Sequence, residues 1–339
     1  MISIATKIIL GFFILIYFDA CPVTCNEDIS FCKESLQALK DDVEDWQERC
    51  SKYTQDYRKD LDTPCCNAEK KYIQSRIRMQ RKLGFYKGLY PQPYLLIRSG
   101  SEIEAVDLLT QDKFVIVTGL KDSRGLGIDI KDKKVYFGDG NRSISKVNFD
   151  GSGKDVILKN ANVYKMAIDW IGRRIFWTKS SGERRIFVVG MNGKNKRTFT
   201  TTQRETYSIA VDPLEGYLFW TEYSRVQRMN LGKNEKLTIA LGRTIALSLD
   251  CTIKLVYWVD YYNGIFSTNY DGVKGTLVRR GSFNRNLLDM FADSVYFQIS
   301  GVPYINEMNM TSGKISRSIN VDKTDYRDLV VVHSSLQLI

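Results

Sequence analysis

The stretch DCTIKLVYWVD, which runs from Asp250 to Asp260, contains the pattern that decides the fold. Six positions after its aspartate comes an aliphatic residue, and two aromatic residues follow directly. The pattern occurs five times, starting at Asp129, Asp169, Asp212, Asp250 and Asp289. Successive copies are 40, 43, 38 and 39 residues apart. A repeat of this length predicts a modular array in which each unit buries its apolar face only against its neighbours.

Each copy of the repeat reads as four short strands. In the first copy the strands are predicted at 125–130, 135–138, 144–149 and 155–158. The pairs Asp150-Gly151, Asn192-Gly193 and Asp271-Gly272 are hairpin signals between a third and a fourth strand. Four strands in ~40 residues are typical of a propeller blade.

A sixth blade is split between the two ends of the array. Tyr94–Ile97 reads as a second strand that lacks its first, and Ile103–Val106 reads as the third strand. The missing strand is Leu329–Val332, an apolar segment with no continuation. We therefore expect residues 89–339 to form a mainly β, six-bladed propeller whose last strand completes the first blade.

The repeated motifs resemble a known family. The segments Tyr257-Trp258-Val259-Asp260, Phe176-Trp177-Thr178 and Phe219-Trp220-Thr221-Glu222 are similar to the Tyr-Trp-Thr-Asp (YWTD) repeat of low-density lipoprotein receptor-type propellers. The resemblance covers residues ~94–335. It implies that the aromatic residues pack between blades and that the polar ends tie neighbouring blades together. The epidermal-growth-factor-like and cysteine-rich ligand modules that accompany the propeller in that family have no counterpart in this sequence.

The first twenty residues predict a signal peptide. Lys7 supplies the positive start, Ile8–Phe18 is an apolar run, and Ala20 is a candidate cleavage residue. The run is too short for a bilayer span, which needs ~20 apolar residues. We therefore expect a secreted, extracellular protein without a membrane span.

Residues 21–88 read as a cysteine-rich helical segment. Apolar residues spaced alternately three and four apart, from Ile29 to Tyr57, form an a/d heptad. A second helical run spans about 68–83. In an exported chain, the clustered cysteines predict a disulfide framework. These are Cys21, Cys25, Cys32, Cys50, Cys65 and Cys66. Two arrangements fit: an intrachain helical hairpin, or a coiled coil that joins several chains into a disulfide-linked homo-oligomer.

Charge and glycosylation signals both fit an extracellular protein. The chain has a net charge of +10, and residues 94–339 hold 35 Lys and Arg against 26 Asp and Glu. In an exported protein this charge favours a sulfated or otherwise acidic glycan, or an acidic protein, and not nucleic acid. Asn141 and Asn309 begin glycosylation sequons.

The sequence offers little for catalysis. His333 is the single histidine of the chain, so we expect no catalytic residues, no metal site and no cofactor. The repeat aspartates are expected to bind backbone amides at the ends of first strands, although a lactonase-type hydrolase would place them around a metal. Cys251 is expected to be an inert thiol.

The family resemblance implies a binding face made of the loops from second to third strands and from one blade to the next. On this chain those loops contain candidate partner-binding residues. These are Arg184, Arg185, Tyr223, Arg225, Tyr261, Tyr262, Arg285 and Tyr304. Tyr and Arg dominate binding hot spots. We expect a secreted, non-enzymatic binding or adhesion protein for an extracellular protein or acidic glycan; the alternatives are a structural matrix component and the hydrolase.

Overall fold

The computed structural model describes residues 93–337 with short gaps, together with Ser75 and Arg78. The gaps are 122–123, 141, 180–182, 234, 274, 282, 284–287, 300–301, 311 and 322–325. The chain divides into two units, Met1–Gln80 and Arg81–Ile339. In the first unit only Ser75 and Arg78 are described, and both have helical backbone. The predicted signal peptide, the six clustered cysteines and the hairpin or coiled coil otherwise lie outside the described residues.

The second unit contains six antiparallel sheets of four strands, which we number as blades 1 to 6. Blade 1 contains β1 (Tyr94–Arg98), β2 (Ile103–Asp107), β3 (Lys113–Val117) and β24 (Asp328–Val332). Blade 2 contains β4 (Leu126–Asp129), β5 (Lys134–Asp139), β6 (Ser143–Asn148) and β7 (Asp155–Lys159). Blade 3 contains β8 (Lys165–Asp169), β9 (Arg174–Thr178), β10 (Arg185–Gly190) and β11 (Arg197–Thr201).

The remaining three blades follow the same order. Blade 4 contains β12 (Thr206–Asp212), β13 (Tyr217–Glu222), β14 (Arg225–Asn230) and β15 (Lys236–Leu241). Blade 5 contains β16 (Thr244–Asp250), β17 (Leu255–Asp260), β18 (Gly264–Asn269) and β19 (Thr276–Arg279). Blade 6 contains β20 (Leu288–Phe291), β21 (Ser294–Gln298), β22 (Tyr304–Asn309) and β23 (Ile315–Asn320). The predicted six-bladed propeller is confirmed.

The last strand closes the ring as predicted. β24 pairs with β1 in antiparallel register, with Leu96 opposite Val330 and Tyr94 opposite Val332. A short 3-10 helix, Ser334–Gln337, follows. The Gln337 side chain accepts a hydrogen bond from the Ile130 amide (2.8 Å) and donates one to the Ile128 carbonyl (3.0 Å). The chain end is therefore bonded both to blade 1 and to blade 2.

The two aromatic residues of each repeat pack on opposite sides of their blade. Trp177 belongs to the apolar cluster between blades 2 and 3, whereas its neighbour Phe176 belongs to the cluster between blades 3 and 4. Trp220 and Phe219 divide in the same way between the seams on either side of blade 4. Successive side chains of a strand point to opposite faces of the sheet, so an aromatic pair serves two seams at once. Each of the six seams has its own buried cluster.

A buried ion pair ties the closing strand to other blades. Lys165 Nζ, at the start of β8, lies 2.5 Å from Asp328 Oδ1, at the start of β24, and both side chains are 8% exposed. The second oxygen of Asp328 accepts a hydrogen bond from the Leu126 amide in blade 2 (2.9 Å). Arg98, which is opposite Asp328 in the register, is fully buried and donates to the Gly125 carbonyl (3.2 Å). Asp328 therefore joins blades 1, 2 and 3.

Four of the five repeat aspartates bind backbone amides of the turn that follows their strand, as predicted. The carboxylates accept hydrogen bonds from amides two or three positions further on, in the turn that follows each first strand. These residues are Asp129, Asp169, Asp212 and Asp250. Such side-chain bonds satisfy backbone donors that the turn leaves outside the sheet ladder. Their role in the described structure is to hold the turns.

The prediction was wrong for Asp289. In blade 6 the first hairpin turn is shorter, with Phe291 opposite Ser294, so Asp289 lies inside β20 opposite Tyr296 instead of at the strand end. Its carboxylate accepts hydrogen bonds from Ser248 Oγ in blade 5 (2.6 Å) and from the Val331 amide in blade 1 (2.7 Å). Asp289 therefore links three blades instead of capping a turn.

Burial raises the pKa of Asp289 to about 6, although hydrogen bonds from Ser248 and Val331 lower it. Because the pKa of Asp289 is higher in the folded state than in the unfolded state, its protonated carboxyl stabilises the fold. This contribution is complete below pH ~4 and is lost as the pH rises through about 6. We expect Asp289→Asn, whose side-chain oxygen can accept from the Val331 amide while its NH2 group donates to Ser248 Oγ, to raise the free energy of unfolding at pH 7 by about 1–2 kcal/mol. A rise of two units in the pKa corresponds to ~3 kcal/mol in the free energy of unfolding. Because the Asp289 side chain is partly accessible to solvent, we expect a smaller gain.

Denaturant unfolding of both proteins between pH 4 and pH 8 measures this difference. The stability advantage of Asp289→Asn should grow with pH through the region of pH 6 and then level off. A constant difference across the whole range would contradict the assignment of a raised pKa to Asp289.

Candidate binding face

One face of the propeller is formed by the starts of the first strands. Because the strands of each blade are antiparallel, the connections from second to third strands lie at this same face. So do the connections from one blade to the next. We call it the connection face. Asp129, Asp169, Asp212 and Asp250 end the first strands of their blades and therefore belong to the opposite face, which we call the turn face.

The connection face contains an arginine surrounded by three tyrosines. Arg243, between β15 and β16, places its guanidinium 5.0 Å from the ring centroid of Tyr223, 4.7 Å from that of Tyr261 and 5.1 Å from that of Tyr262. It also hydrogen-bonds to the Tyr262 hydroxyl. The rings of Tyr261 and Tyr262 are nearly perpendicular, with centroids 5.0 Å apart. Each ring face that meets a cation contributes ~0.5–1 kcal/mol when exposed, so the four side chains hold one another in place.

The same surface continues across two further blades. Burial and the nearby acidic charge of Glu205 raise the pKa of the Tyr207 hydroxyl, while Arg243 lowers it. Tyr164 and Tyr223 also lie near enough to Tyr207 to act on it electrostatically. Arg124 lies 5.0 Å above the ring of Tyr164. We call the set Arg124, Tyr164, Tyr207, Tyr223, Arg243, Tyr261 and Tyr262 the tyrosine–arginine patch.

The patch has an exposed aromatic surface. The side chain of Tyr262 is 67% exposed and that of Tyr223 is 45% exposed. A tyrosine ring that is already held by a guanidinium has little conformational freedom left. It therefore loses little entropy when a second molecule covers its exposed face. The arrangement is therefore chemically suited to contact a protein surface.

The structure brings together three of the eight predicted partner-binding residues. Tyr223, Tyr261 and Tyr262 meet around Arg243. Arg184, Arg185 and Tyr304 are exposed at the connection face, but within the described residues no ring or ion contact joins them to the patch. Arg225 is half-buried, and its carbonyl accepts a hydrogen bond from Thr244 Oγ1 (3.0 Å). Arg285 lies outside the described residues.

Sequence reasoning missed Arg243 itself. It lies in a two-residue connection, Gly242-Arg243, that carries no motif and no neighbouring basic residue. One signal was available. Every connection between blades lies on the connection face, and Arg243 lies in the shortest of these connections among the described blades. The clustering of residues from β13, β15 and β17 ends depends on the closed ring, which no local pattern shows.

The two side chains that the sequence analysis considered for reactivity, Cys251 and His333, are both partly buried. Burial raises the pKa of the Cys251 thiol to about 12, so the thiol is protonated at neutral pH and a poor nucleophile. His333 stacks on Phe291, with ring centroids 4.5 Å apart, and burial lowers its pKa. Among the described residues there is no group of three or more His, Cys, Asp or Glu side chains arranged to hold a metal ion.

The structure describes the asparagine of one sequon, Asn309, but not that of the other, Asn141. Asn309 ends β22 and is partly buried, and its side-chain oxygen accepts a hydrogen bond from the Ser312 amide (2.9 Å). Asn141 lies outside the described residues. Glycosylation at both positions stays a prediction. In the described part of the chain, no helix has the length and apolar character needed to cross a membrane.

Comparison with known proteins gives matches in sequence and in structure. No family model matches the chain. Low-density lipoprotein receptor-related protein 5 of Mus musculus is 27% identical over 139 residues, which cover 39% of this chain and 9% of that protein. The Homo sapiens protein of the same name is 26% identical over 188 residues, covering 50% and 12%. The chain thus spans about a tenth of the length of these relatives.

Two solved structures share the fold. A chain from the crystal structure of a nidogen/laminin complex gives a TM-score of 0.65 at 20% identity, covering 71% of this chain and 99% of that chain. TolB from Acinetobacter baumannii gives a TM-score of 0.62 at 12% identity, covering 80% and 74%. Together with the sequence matches, the split of each aromatic pair between two seams and the closure by β24 confirm the predicted resemblance. The chain forms a six-bladed propeller that is similar in sequence to low-density lipoprotein receptor-related protein 5.

Proposed function

We propose that the protein is a secreted, non-enzymatic binding protein whose propeller holds an extracellular protein at the tyrosine–arginine patch. The observation that carries this proposal is Arg243, whose guanidinium lies within 5.1 Å of three tyrosine ring centroids on an exposed surface. Tyr and Arg are enriched at the energetic centres of protein interfaces, where they combine large contact area with hydrogen bonding.

The patch is also large enough in extent to serve a protein ligand. Its residues come from blades 2, 3, 4 and 5, because Arg124 precedes β4 and Tyr261 follows β17. A small-molecule site is a concave cleft with a few polar groups. A patch that spreads over four blades, with exposed rings at Tyr223 and Tyr262, instead favours a broad, flat partner.

The comparisons support an extracellular role. The sequence relatives are receptor-related proteins, and one structural neighbour was crystallised in a nidogen/laminin complex. The chain covers only 9% and 12% of the two relatives, so the identity of the partner is not transferred from them. Secretion is proposed from the apolar run at Ile8–Phe18.

The non-enzymatic part of the proposal is supported by what the repeat aspartates do. A lactonase-type site would need carboxylates directed at a metal, but Asp129, Asp169, Asp212 and Asp250 accept hydrogen bonds from turn amides. Whether the helical segment at 21–88 is a hairpin or a disulfide-linked oligomer stays a prediction. An oligomer would raise the avidity of the patch by multivalency.

The substitution Arg243→Gln tests the patch. Loss of a hot-spot arginine removes ~2 kcal/mol of binding free energy, so we expect the amount of captured partner to fall by roughly thirtyfold at limiting concentration. The measurement is capture from an extracellular-matrix extract by immobilised protein, quantified by mass spectrometry, with laminin added as a defined probe.

Lys254→Gln is the matched control, because it removes one positive charge from an exposed residue on the turn face. Both variants should unfold at the wild-type temperature within a few degrees. A set of captured proteins that is the same for wild type, Arg243→Gln and Lys254→Gln would show that the patch is not the binding surface.

A further inference from the structure

A basic groove lies on the turn face, between blades 2 and 3. Its volume is about 780 Å³, within the ~300–1,000 Å³ range of clefts that hold small ligands. Five basic side chains and one carboxylate line it: Lys134, Lys146, Arg173, Arg174, Arg197 and Asp132. They come from β5, β6, the start of β9 and its preceding turn, and β11. The groove is therefore on the side of the propeller away from the tyrosine–arginine patch.

Buried carboxylates orient two of the arginines. Arg173 bonds to Asp129, and Arg174 donates from Nε (2.9 Å) and Nη2 (2.6 Å) to Asp169. The side chains of Asp129 and Asp169 are 0% and 2% exposed, whereas those of Arg173 and Arg174 are 46% and 31% exposed. A ligand in the groove thus meets the guanidinium groups and the 45% exposed Asp132, which lies 2.5 Å from Arg173, and not the two buried carboxylates. Because the arginines are already fixed, binding costs little side-chain entropy.

The other basic residues leave positive charge uncompensated. Lys134 hydrogen-bonds to Asn148, whose side chain is neutral. Arg197 is exposed, and the described part of the chain provides no ion pair for it. Lys146 lies 3.6 Å from Asp155, whose side chain is 61% exposed, and an exposed pair at this distance is weak.

A hydroxyl donor completes the lining. Tyr136 lies in the groove between the two blades. Its side chain is only 2% exposed, and burial raises its pKa to about 12, so the hydroxyl at the edge of the groove is neutral. The groove therefore offers charged N–H donors together with a neutral O–H donor, all suited to oxyanions.

We propose that this groove is a binding site for a sulfated glycan, separate from the protein-binding patch. Sulfate oxygens accept paired hydrogen bonds from arginine, and a guanidinium is less strongly hydrated than an ammonium group, which favours such contacts. The choice of a glycan over other polyanions rests on the extracellular location proposed above.

The double variant Lys134→Gln/Arg197→Gln tests the groove without leaving a buried carboxylate unneutralised. The probe is a heparin octasaccharide, and its Kd is measured by isothermal titration calorimetry with the full chain. We expect the Kd to rise at least about tenfold, since each lost charge-assisted bond is worth more than a factor of ten in favourable geometry. Binding by the wild type should weaken with added NaCl.

Arg204→Gln/Arg280→Gln is the matched control, since it removes two positive charges from exposed residues outside the groove. Its Kd should stay within about threefold of the wild-type value. Equal weakening in both double variants would overturn the site. The octasaccharide stripped of its sulfates should not bind, and a single-stranded DNA octamer that binds as tightly as the sulfated probe would overturn the ligand class. Neither outcome depends on the tyrosine–arginine patch, so Arg243→Gln should bind the octasaccharide normally.

Discussion

Removal of residues 328–339 is expected to abolish the folded propeller. The deleted segment contains β24, the only strand that pairs with the outer edge of β1 in the described structure. Leu329 and Val331 belong to the cluster between blades 6 and 1, and Val332 belongs to the cluster between blades 1 and 2. Two of the six seams therefore lose part of their core together.

The expected loss is comparable with the stability of a whole domain. The three buried apolar side chains of β24, Leu329, Val331 and Val332, leave the interior, and each contributes ~1.5–3 kcal/mol when fully buried, which gives about 5–9 kcal/mol. Domains are typically stable by only ~5–15 kcal/mol. The opened edge of β1 also offers unpaired backbone groups to other chains, so aggregation should follow.

Size-exclusion chromatography and circular dichroism measure this outcome. The truncated protein should elute as aggregate, whereas removal of residues 338–339 alone should leave the elution volume and melting temperature unchanged. A synthetic peptide with residues 326–339 should restore part of the folded signal. A truncated chain that remains monomeric and melts like the full protein would contradict closure by β24.

Asp328→Ala is expected to have the second largest effect, with a loss of about 3–5 kcal/mol in the free energy of unfolding. The substitution removes the carboxylate that neutralises Lys165 at 2.5 Å and that accepts the Leu126 amide. Breaking a buried ion pair from one side costs this much because the remaining charge stays in a poorly solvated place. The measurement is chemical denaturation at pH 7.

Lys154→Ala provides the comparison. Lys154 lies 3.2 Å from Asp139, but its side chain is 42% exposed, so loss of this pair should cost less than about 1 kcal/mol. The double variant Asp328→Ala/Lys165→Met should be more stable than Asp328→Ala alone, because it also removes the isolated charge. Equal costs for Asp328→Ala and Lys154→Ala would show that the buried pair does not secure the ring.

The sequence was sufficient for the blade count, because the repeat is a local pattern, and for ring closure, because the first copy lacks one strand and one strand is left over at the end. The constant offset between aspartate and aromatic residues marks one hairpin per blade, and Asn192-Gly193 or Asp271-Gly272 marks another. The unpaired apolar segment Leu329–Val332 could only complete the strand set that begins at Tyr94. Each of these signals acts within a few residues or within a single repeat.

The site was less predictable. Tyr223, Tyr261 and Tyr262 were found by assigning loops to a face, but Arg243 was not, because its two-residue connection resembles any short turn. Asp289 was assigned to a turn by its offset, yet a hairpin shortened to Ala292-Asp293 moves it into the strand. A repeat fixes how far apart residues are in the chain. It does not fix how many of them the turn uses.

What the amino-acid sequence determined by itself was the content of each blade, since alternation along a strand and glycine or asparagine in a turn follow from local backbone geometry. Only the tertiary structure decided which blades are connected by a single side chain. Asp328 reaches Lys165 across a chain separation of 163 residues, and Gly193 packs where a Cβ would lie 2.1 Å from the Ile157 carbonyl oxygen of the preceding blade. Such contacts exist only after six sheets have closed into a ring, because the ring sets the distances between residues that no local pattern relates.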